Sequence, residues 1–174
     1  MPYIIVRYFT RKCGEPRVAT RSEPLIVVDA DACPVKREIV QVARTLAVEV
    51  LMIASFDHRL EAEPGVRVVQ VDRSDQSVDL YIANHVGRGD IVITQDFGLA
   101  VVVLAKGATA LSPRGQEYDE RNIDFLMERR HELAKRRRSG GKTRGPKAMT
   151  DEDRYRFQQK LTKVLLHRQE IGEQ

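Results

Sequence analysis

Four aspartates carry the chemistry most directly readable from this chain. Asp29 and Asp31 close the segment LIVVDADACP, Asp79 lies in SVDLYIANHV, and Asp96 follows the short apolar run IVIT. Carboxylates gathered in one place repel one another and raise one another's pKa values, and a divalent cation relieves that repulsion. Ligands that are all oxygen favour hard ions, so the cofactor expected is Mg²⁺ or Mn²⁺. Such ions serve phosphate-ester chemistry by polarising the phosphoryl group, activating water and neutralising the leaving oxygen. Taken singly, an aspartate after a strand is a helix cap or turn former, and only the set of four argues for a site. Asp90, which opens DIVIT, belongs at the opposite sheet edge, and Asp72 and Asp75 read as turn residues.

The elements that must position these residues follow from the apolar pattern. Leu25 to Val28 is a short apolar run of buried-strand type, ending at the first two carboxylates. Pro34 suits the first turn of a helix, whose apolar face is Val35, Ile39, Val42, Ala43 and Leu46. A second strand is expected over Val48–Ala54 and a third over Val66–Val71, after the Pro64-Gly65 turn. Ser74 or Ser77 can cap the next helix, with Val78, Tyr81, Ile82, His85 and Val86 on one face and Gly87 and Gly89 at its end. Ile91–Thr94 reads as a fourth strand, Leu99–Ala105 as a helix closed by Gly107, and Ala108–Leu111 as a fifth strand. Alternating strands and helices call for a mostly parallel sheet covered on both faces, a three-layer α/β/α domain. In such a sheet the strand ends share one edge, so Asp29, Asp31 and Asp96 converge there and Asp79 can point to it.

Beyond this core, taken as residues 25–115, a basic helical C-terminal region spans 116–174. A charged helix is expected over Asp119–Arg138, then a flexible glycine-rich loop over 139–147. A last helix runs from Thr150, whose hydroxyl and Asp153 fit a capping box, to about Glu170. Residues 1–24 form an extension with an edge strand expected at Tyr3–Phe9.

No stretch approaches the length of a membrane-spanning helix, and the N-terminal segment is too short and interrupted for a signal-peptide core. Cys13 and Cys33 show no disulfide or CxxC spacing, which fits a reduced, cytoplasmic protein. Charge is unevenly spread. Residues 1–24 carry 5 basic and 2 acidic side chains, 25–113 carry 8 and 12, and 114–174 carry 16 and 11. An acidic body with basic extensions suits a central metal ion and a polyanion at the rim. Between Arg129 and Lys147 there are nine Lys or Arg and one acid, Glu132. Arg136, Arg137, Arg138, Lys142 and Arg144 are candidates for a nucleic-acid backbone, and Lys36, Arg37 and Arg114 could reach toward the acidic edge. The alternative is a solvated helix end and linker. Few aromatic residues interleave with these cations, so stacking on single-stranded bases draws little support from this segment. Cys33, near the carboxylates at a helix start, would have a lowered pKa, but with no partner histidine it reads as a packed residue. His58 could line the site, and His85 packs at a helix end.

LIVVDADACPVKREI, SVDLYIANHVGRGDIVITQDFGLA and ALSPRG with SGGKTRGP resemble the bacterial YaiI/YqxD family over residues 25 to about 166. That family in turn resembles PIN-like and NYN-type nuclease domains. The resemblance implies metal-dependent phosphodiester hydrolysis, on RNA rather than DNA, with Asp29, Asp79 and Asp96 on Mg²⁺ or Mn²⁺. Asp31 stands beside them as a further ligand or as orienter of the attacking water, and the resemblance is compatible with a homodimer. TRGP at Thr143–Pro146 departs from the double glycine expected before the proline. Two other readings stand beside this one: a non-catalytic RNA-binding protein of the same fold, and a haloacid-dehalogenase-type phosphatase. The second rests on the likeness of DADAC to DxDxT, with Asp29 as nucleophile and Asp31 as general acid. Cys33 in place of threonine, and Gly89-Asp90 lying before a strand rather than after one, weigh against it.

Overall fold

The computed structural model of the chain describes residues 24–56, 60, 63–72, 77–140 and 147–172. The edge strand expected at Tyr3–Phe9, His58, the Ser74 cap, Lys142 and Arg144 lie outside the described residues. The elements, in order, are β1 (Leu25–Asp29), α1 (Lys36–Thr45), β2 (Glu49–Ser55), β3 (Val66–Val71), α2 (Ser77–His85) and β4 (Ile91–Ile93). Then follow α3 (Phe97–Ala105), β5 (Thr109–Leu111), β6 (Glu117–Tyr118), α4 (Glu120–Arg138) and α5 (Asp151–Gly172).

The six strands form one sheet in the order β3-β2-β1-β4-β5-β6, parallel except where β6 runs antiparallel to β5. β1 is central and reads LIVV because both of its faces are covered. Alternation splits the run: Ile26 and Val28 pack into one apolar cluster, Leu25 and Val27 into the other. The first cluster takes Ile39, Val40, Val42 and Ala43 from α1 and Phe157, Leu161 and Leu165 from α5. The second takes Ile82 from α2, Leu99, Ala100 and Val103 from α3 and Ile123 from α4. The expected α/β/α layering is therefore present, with α5 beside α1 as half of one layer. Phe157, Leu161 and Leu165 are fully buried, and each such side chain contributes about 1.5–3 kcal/mol of transfer free energy.

Local chemistry explains where the helices begin and end. α1 starts at Lys36, two residues past Pro34, because the chain leaving β1 is first tied down toward β2. The Ala30 N–H donates to the Ile53 carbonyl at 2.8 Å, and Asp31 accepts the Ser55 N–H. Pro34 therefore sits in the turn before the helix. α3 starts at Phe97 rather than Leu99 because Asp96 caps it. Gly107, at φ +78°, lets the chain reverse after α3 without a Cβ in the left-handed region. In α4, Asp119 accepts the N–H groups of Arg121 and Asn122, completing a capping box. The box expected at α5 forms as well: the Asp153 N–H donates to Thr150 Oγ1 and the Thr150 N–H to Asp153 Oδ2, both at 3.1 Å.

Two ion-paired arginines fix α5. Arg154 donates to the Pro34 carbonyl at 2.7 Å and pairs with Glu38 of α1 at 3.0 Å. Arg114, after β5, pairs with Asp153 at 3.0 Å and donates to the Lys147 carbonyl. Asp90 is buried before β4, accepting the N–H groups of Leu25 at 3.2 Å and Gly87 at 2.9 Å. It ties the entry of β4 to the entry of β1, at the edge away from the other aspartates. Among the described residues no helix is long and apolar enough to cross a membrane.

Candidate active site

The strand order makes β1 and β4 neighbours whose chains leave in opposite directions. From β1 the chain goes through α1 on one face toward β2; from β4 it goes through α3 on the other face toward β5. That arrangement opens a crevice at the carboxyl ends of the two strands, where open α/β sheets bind ligands. The register pairs Val28 with Ile93, so the next residues, Asp29 and Thr94, stand side by side.

The Thr94 hydroxyl joins the two sides. It donates to Asp29 Oδ2 at 3.0 Å and accepts the Asp96 N–H at 3.0 Å, and the residue is buried. Asp96 turns its own Oδ1 back to the Leu99 N–H at 3.1 Å, capping α3. A Cβ on Gly98 would lie 3.0 Å from that same oxygen. Glycine in a helix costs about 1 kcal/mol relative to alanine, and here it leaves room for the capping carboxylate.

The third carboxylate comes from α2. Asp79 is half-buried, and its pKa is pushed up to about 6, first by burial and then by the negative charges of Asp96 and Asp29. Asp29 is also raised: burial is the largest cause, the Thr94 hydrogen bond opposes it, and Asp31 and Asp96 add repulsion. Asp29, Asp79 and Asp96 therefore share one electrostatic neighbourhood, as their places at the sheet edge require. Asp31 adjoins them in a different way, with both carboxylate oxygens on the Ser55 N–H at 2.9 and 3.1 Å. Among the described residues no group of three His, Cys, Asp or Glu side chains is spaced to hold a metal ion.

Three residues the sequence did not single out close one side of the site. Arg130 of α4 donates from Nη1 to Asp96 Oδ2 at 3.4 Å, and its guanidinium carbon lies 5.6 Å from the Phe97 ring centre. Phe97 meets Tyr118 of β6 edge-on, with centroids 5.6 Å apart and ring planes at 86°. The Tyr118 hydroxyl reaches the Thr94 carbonyl at 3.4 Å. On the α2 side, Phe56, Gln70, Leu80, Tyr81, Asn84 and His85 help line a shallow groove of about 520 Å³. Within it Tyr81 and His85 stack at 3.9 Å, so His85 lies on the exposed face of α2.

The other candidates are placed as follows. Lys36 donates to the Cys33 carbonyl at 2.9 Å, and Arg37 is exposed on the first turn of α1. Arg114 is committed to the start of α5. Arg136, Arg137 and Arg138 are exposed in the last turn of α4, where they also complement the helix dipole. Cys33 is buried, and burial pushes its pKa up to about 11 against the opposing pulls of the Val35 N–H and Lys36. The lowered value expected from a helix start is thus corrected: desolvation outweighs the backbone there, and the thiol packs as an apolar group.

A sequence model described as "Uncharacterized BCR, YaiI/YqxD family" matches residues 27–167, a span that includes Asp29, Asp31, Asp79, Asp96 and Arg130. The chain is 48% identical over 143 residues to a UPF0178 protein of Halalkalibacterium halodurans, covering 82% of this chain and 91% of that one. A UPF0178 protein of Bacillus velezensis is 46% identical over 153 residues, covering 87% and 91%. One of Listeria welshimeri is 44% identical over 142 residues, covering 82% and 95%. No solved structure matches the chain significantly.

Proposed function

We propose, on the premise that this chain belongs to the YaiI/YqxD family, that it is a metal-dependent nuclease with a PIN-like site, cutting single-stranded RNA. One observation supports the reading: Asp29 and Asp79 are both raised, first by burial and then by neighbouring carboxylates, with Asp96 acting on each of them. The donor set suits Mg²⁺ or Mn²⁺, all of it hard oxygen. Mg²⁺ keeps several waters and takes one or two carboxylates plus substrate phosphate, so such a site needs no closed protein shell. Asp29, Asp79 and Asp96 would hold the ion, directly or through its waters, with Asp31 beside them. Bound there, the ion would polarise the phosphodiester and lower the pKa of a bound water.

The protein's own part is positioning. Thr94 holds Asp29 in one orientation, and the α3 cap holds Asp96. The groove along α2, lined by Asp72 as well, offers Phe56 and the Tyr81–His85 stack as faces for unpaired bases. Base–aromatic stacking is worth about 1–3 kcal/mol per base and tolerates any sequence. This supports a single-stranded substrate from residues far apart in sequence. Arg136–Arg138 lie about 9–12 Å along the helix axis from Arg130, within reach of the next phosphates. Binding should weaken steeply with salt.

The test is labelled single-stranded RNA, with single-stranded DNA beside it, given Mn²⁺ or EDTA and the wild-type or Asp29→Asn protein. Cleavage that needs both Mn²⁺ and Asp29 is expected. Cleavage that survives EDTA and the substitution contradicts the reading, and retention of RNA without turnover in any divalent metal would favour a binding module.

A further inference from the structure

We infer that Arg130 is a movable counter-charge: it competes with a divalent cation for Asp96 and turns to a substrate phosphate when the cation is bound. The inference rests on the nuclease reading and assigns the phosphate contact of that site to one side chain. Its contact with Asp96 is loose. A tight charged pair has N···O distances of about 2.7–2.9 Å, often two at once. Here a single nitrogen lies 3.4 Å from Oδ2, and the arginine side chain is 56% exposed. Exposed pairs of this kind contribute little, so the guanidinium leaves Asp96 easily.

Release from Asp96 does not release it from the site. The guanidinium lies over the face of Phe97, which is itself set by Tyr118, and a cation–π contact does not depend on Asp96. The ring therefore acts as a pivot. A guanidinium carries five donors in a planar fork that matches two phosphate oxygens, and the Asp96 contact uses one of them. Carboxylates gathered in one place call for positive charge, and Arg130 reaches Asp96. Arg130 supplies part of that charge, and a divalent cation on the aspartates makes it redundant there. The freed fork is then available to a phosphodiester bound at this edge of the sheet.

This arrangement predicts effects of opposite sign. Mn²⁺ affinity is read by electron paramagnetic resonance without RNA, and KM and kcat for labelled poly(U) at saturating Mn²⁺, in wild type, Arg130→Gln and Arg130→Lys. Removing the competitor should tighten Mn²⁺ binding about threefold in Arg130→Gln. The same variant should raise KM about tenfold, with a smaller change in kcat. Arg130→Lys keeps a charge near Asp96 but lacks the fork, so its Mn²⁺ affinity stays near wild type while its KM rises. Thermal melting reports whether α4 stays docked. Weaker Mn²⁺ binding together with a lowered melting temperature would mark Arg130 as a mere anchor for α4 and overturn the inference. Unchanged Mn²⁺ affinity and KM would also overturn it, leaving the nuclease reading intact. A wild-type protein that neither binds Mn²⁺ nor cuts RNA would overturn both.

Discussion

The hydroxyl of Thr94 donates to Oδ2 of Asp29 at 3.0 Å, across the junction where β1 and β4 leave the sheet. A hydroxyl has one hydrogen to give, and this one goes to the carboxylate. Its oxygen then receives the Asp96 N–H, so one buried atom sets the separation of two aspartates.

Thr94→Val keeps the shape and removes that atom. Asp29 loses the bond that opposes its raised pKa, and the Asp96 N–H loses its acceptor. We expect a stability loss of about 1–3 kcal/mol in urea denaturation, from unpaired polar groups, and weaker Mn²⁺ binding at neutral pH. Thr94→Ser should recover most of both.

Asp79 gives the site a pH signature. Its folded pKa of about 6 lies above the ordinary value of 3.8, so the folded state binds this proton more tightly than the unfolded chain does. The stabilisation is therefore fully present below the unfolded value and is lost as pH rises through about 6. After allowance for solvent screening, this group should account for about 1 kcal/mol of lost stability in EDTA. Asp79→Asn should be the more stable protein at neutral pH and lose its advantage near pH 4, since both forms are then uncharged. Added Mn²⁺ should raise the wild-type melting temperature and leave Asp79→Asn nearly unmoved.

The acids and the strands that carry them were legible in the sequence, because short apolar runs ending in carboxylates have one sensible place in a parallel sheet. The β3 limits, Val66–Val71, and the capping box at Thr150 follow from local pattern alone. What stayed hidden depends on tertiary contact. Two-residue β6 is too short to carry a period, yet its Tyr118 sets Phe97. Arg130 is one of nine cations in a run, and only the packing of α4 against α3 selects it for Asp96. Phe56 follows β2 and Tyr81 lies on α2, so the aromatic groove has no sequence signature. Asp29 and Asp31 look equivalent as DAD, but one turns to Thr94 and the other to Ser55. Thr94 and Gly98 did leave a signal in TQDFG, where the polar run Thr94–Asp96 joins β4 to the start of α3, which a search for carboxylates alone passes over.

Gly98→Ala tests the cap. Alanine favours the helix by about 1 kcal/mol, but its Cβ would press on Asp96 Oδ1 from 3.0 Å. Thermal stability should therefore change little while Mn²⁺ affinity falls several-fold, a separation that simple helix propensity would not produce.

Asp90 supplies the contrast. Asp90→Ala leaves the Leu25 and Gly87 N–H groups without their carboxylate, at a cost of about 3 kcal/mol. Below its lowered melting temperature the variant should bind Mn²⁺ as wild type does, because Asp90 stands at the far edge of the sheet.

The central claim is that Asp29, Asp79 and Asp96 together hold one divalent cation, directly or through its waters. Its most direct test is a Mn²⁺ titration, followed by electron paramagnetic resonance, of metal-free wild type, Asp29→Asn and Asp96→Asn. Both substitutions preserve shape, and asparagine caps a helix as well as aspartate does, so charge is what changes. Exposed Glu49→Gln at the opposite edge is the control. The account predicts one site in wild type and control, weakened tenfold or more in each aspartate variant. Mn²⁺ bound equally well by wild type, Asp29→Asn and Asp96→Asn would contradict it.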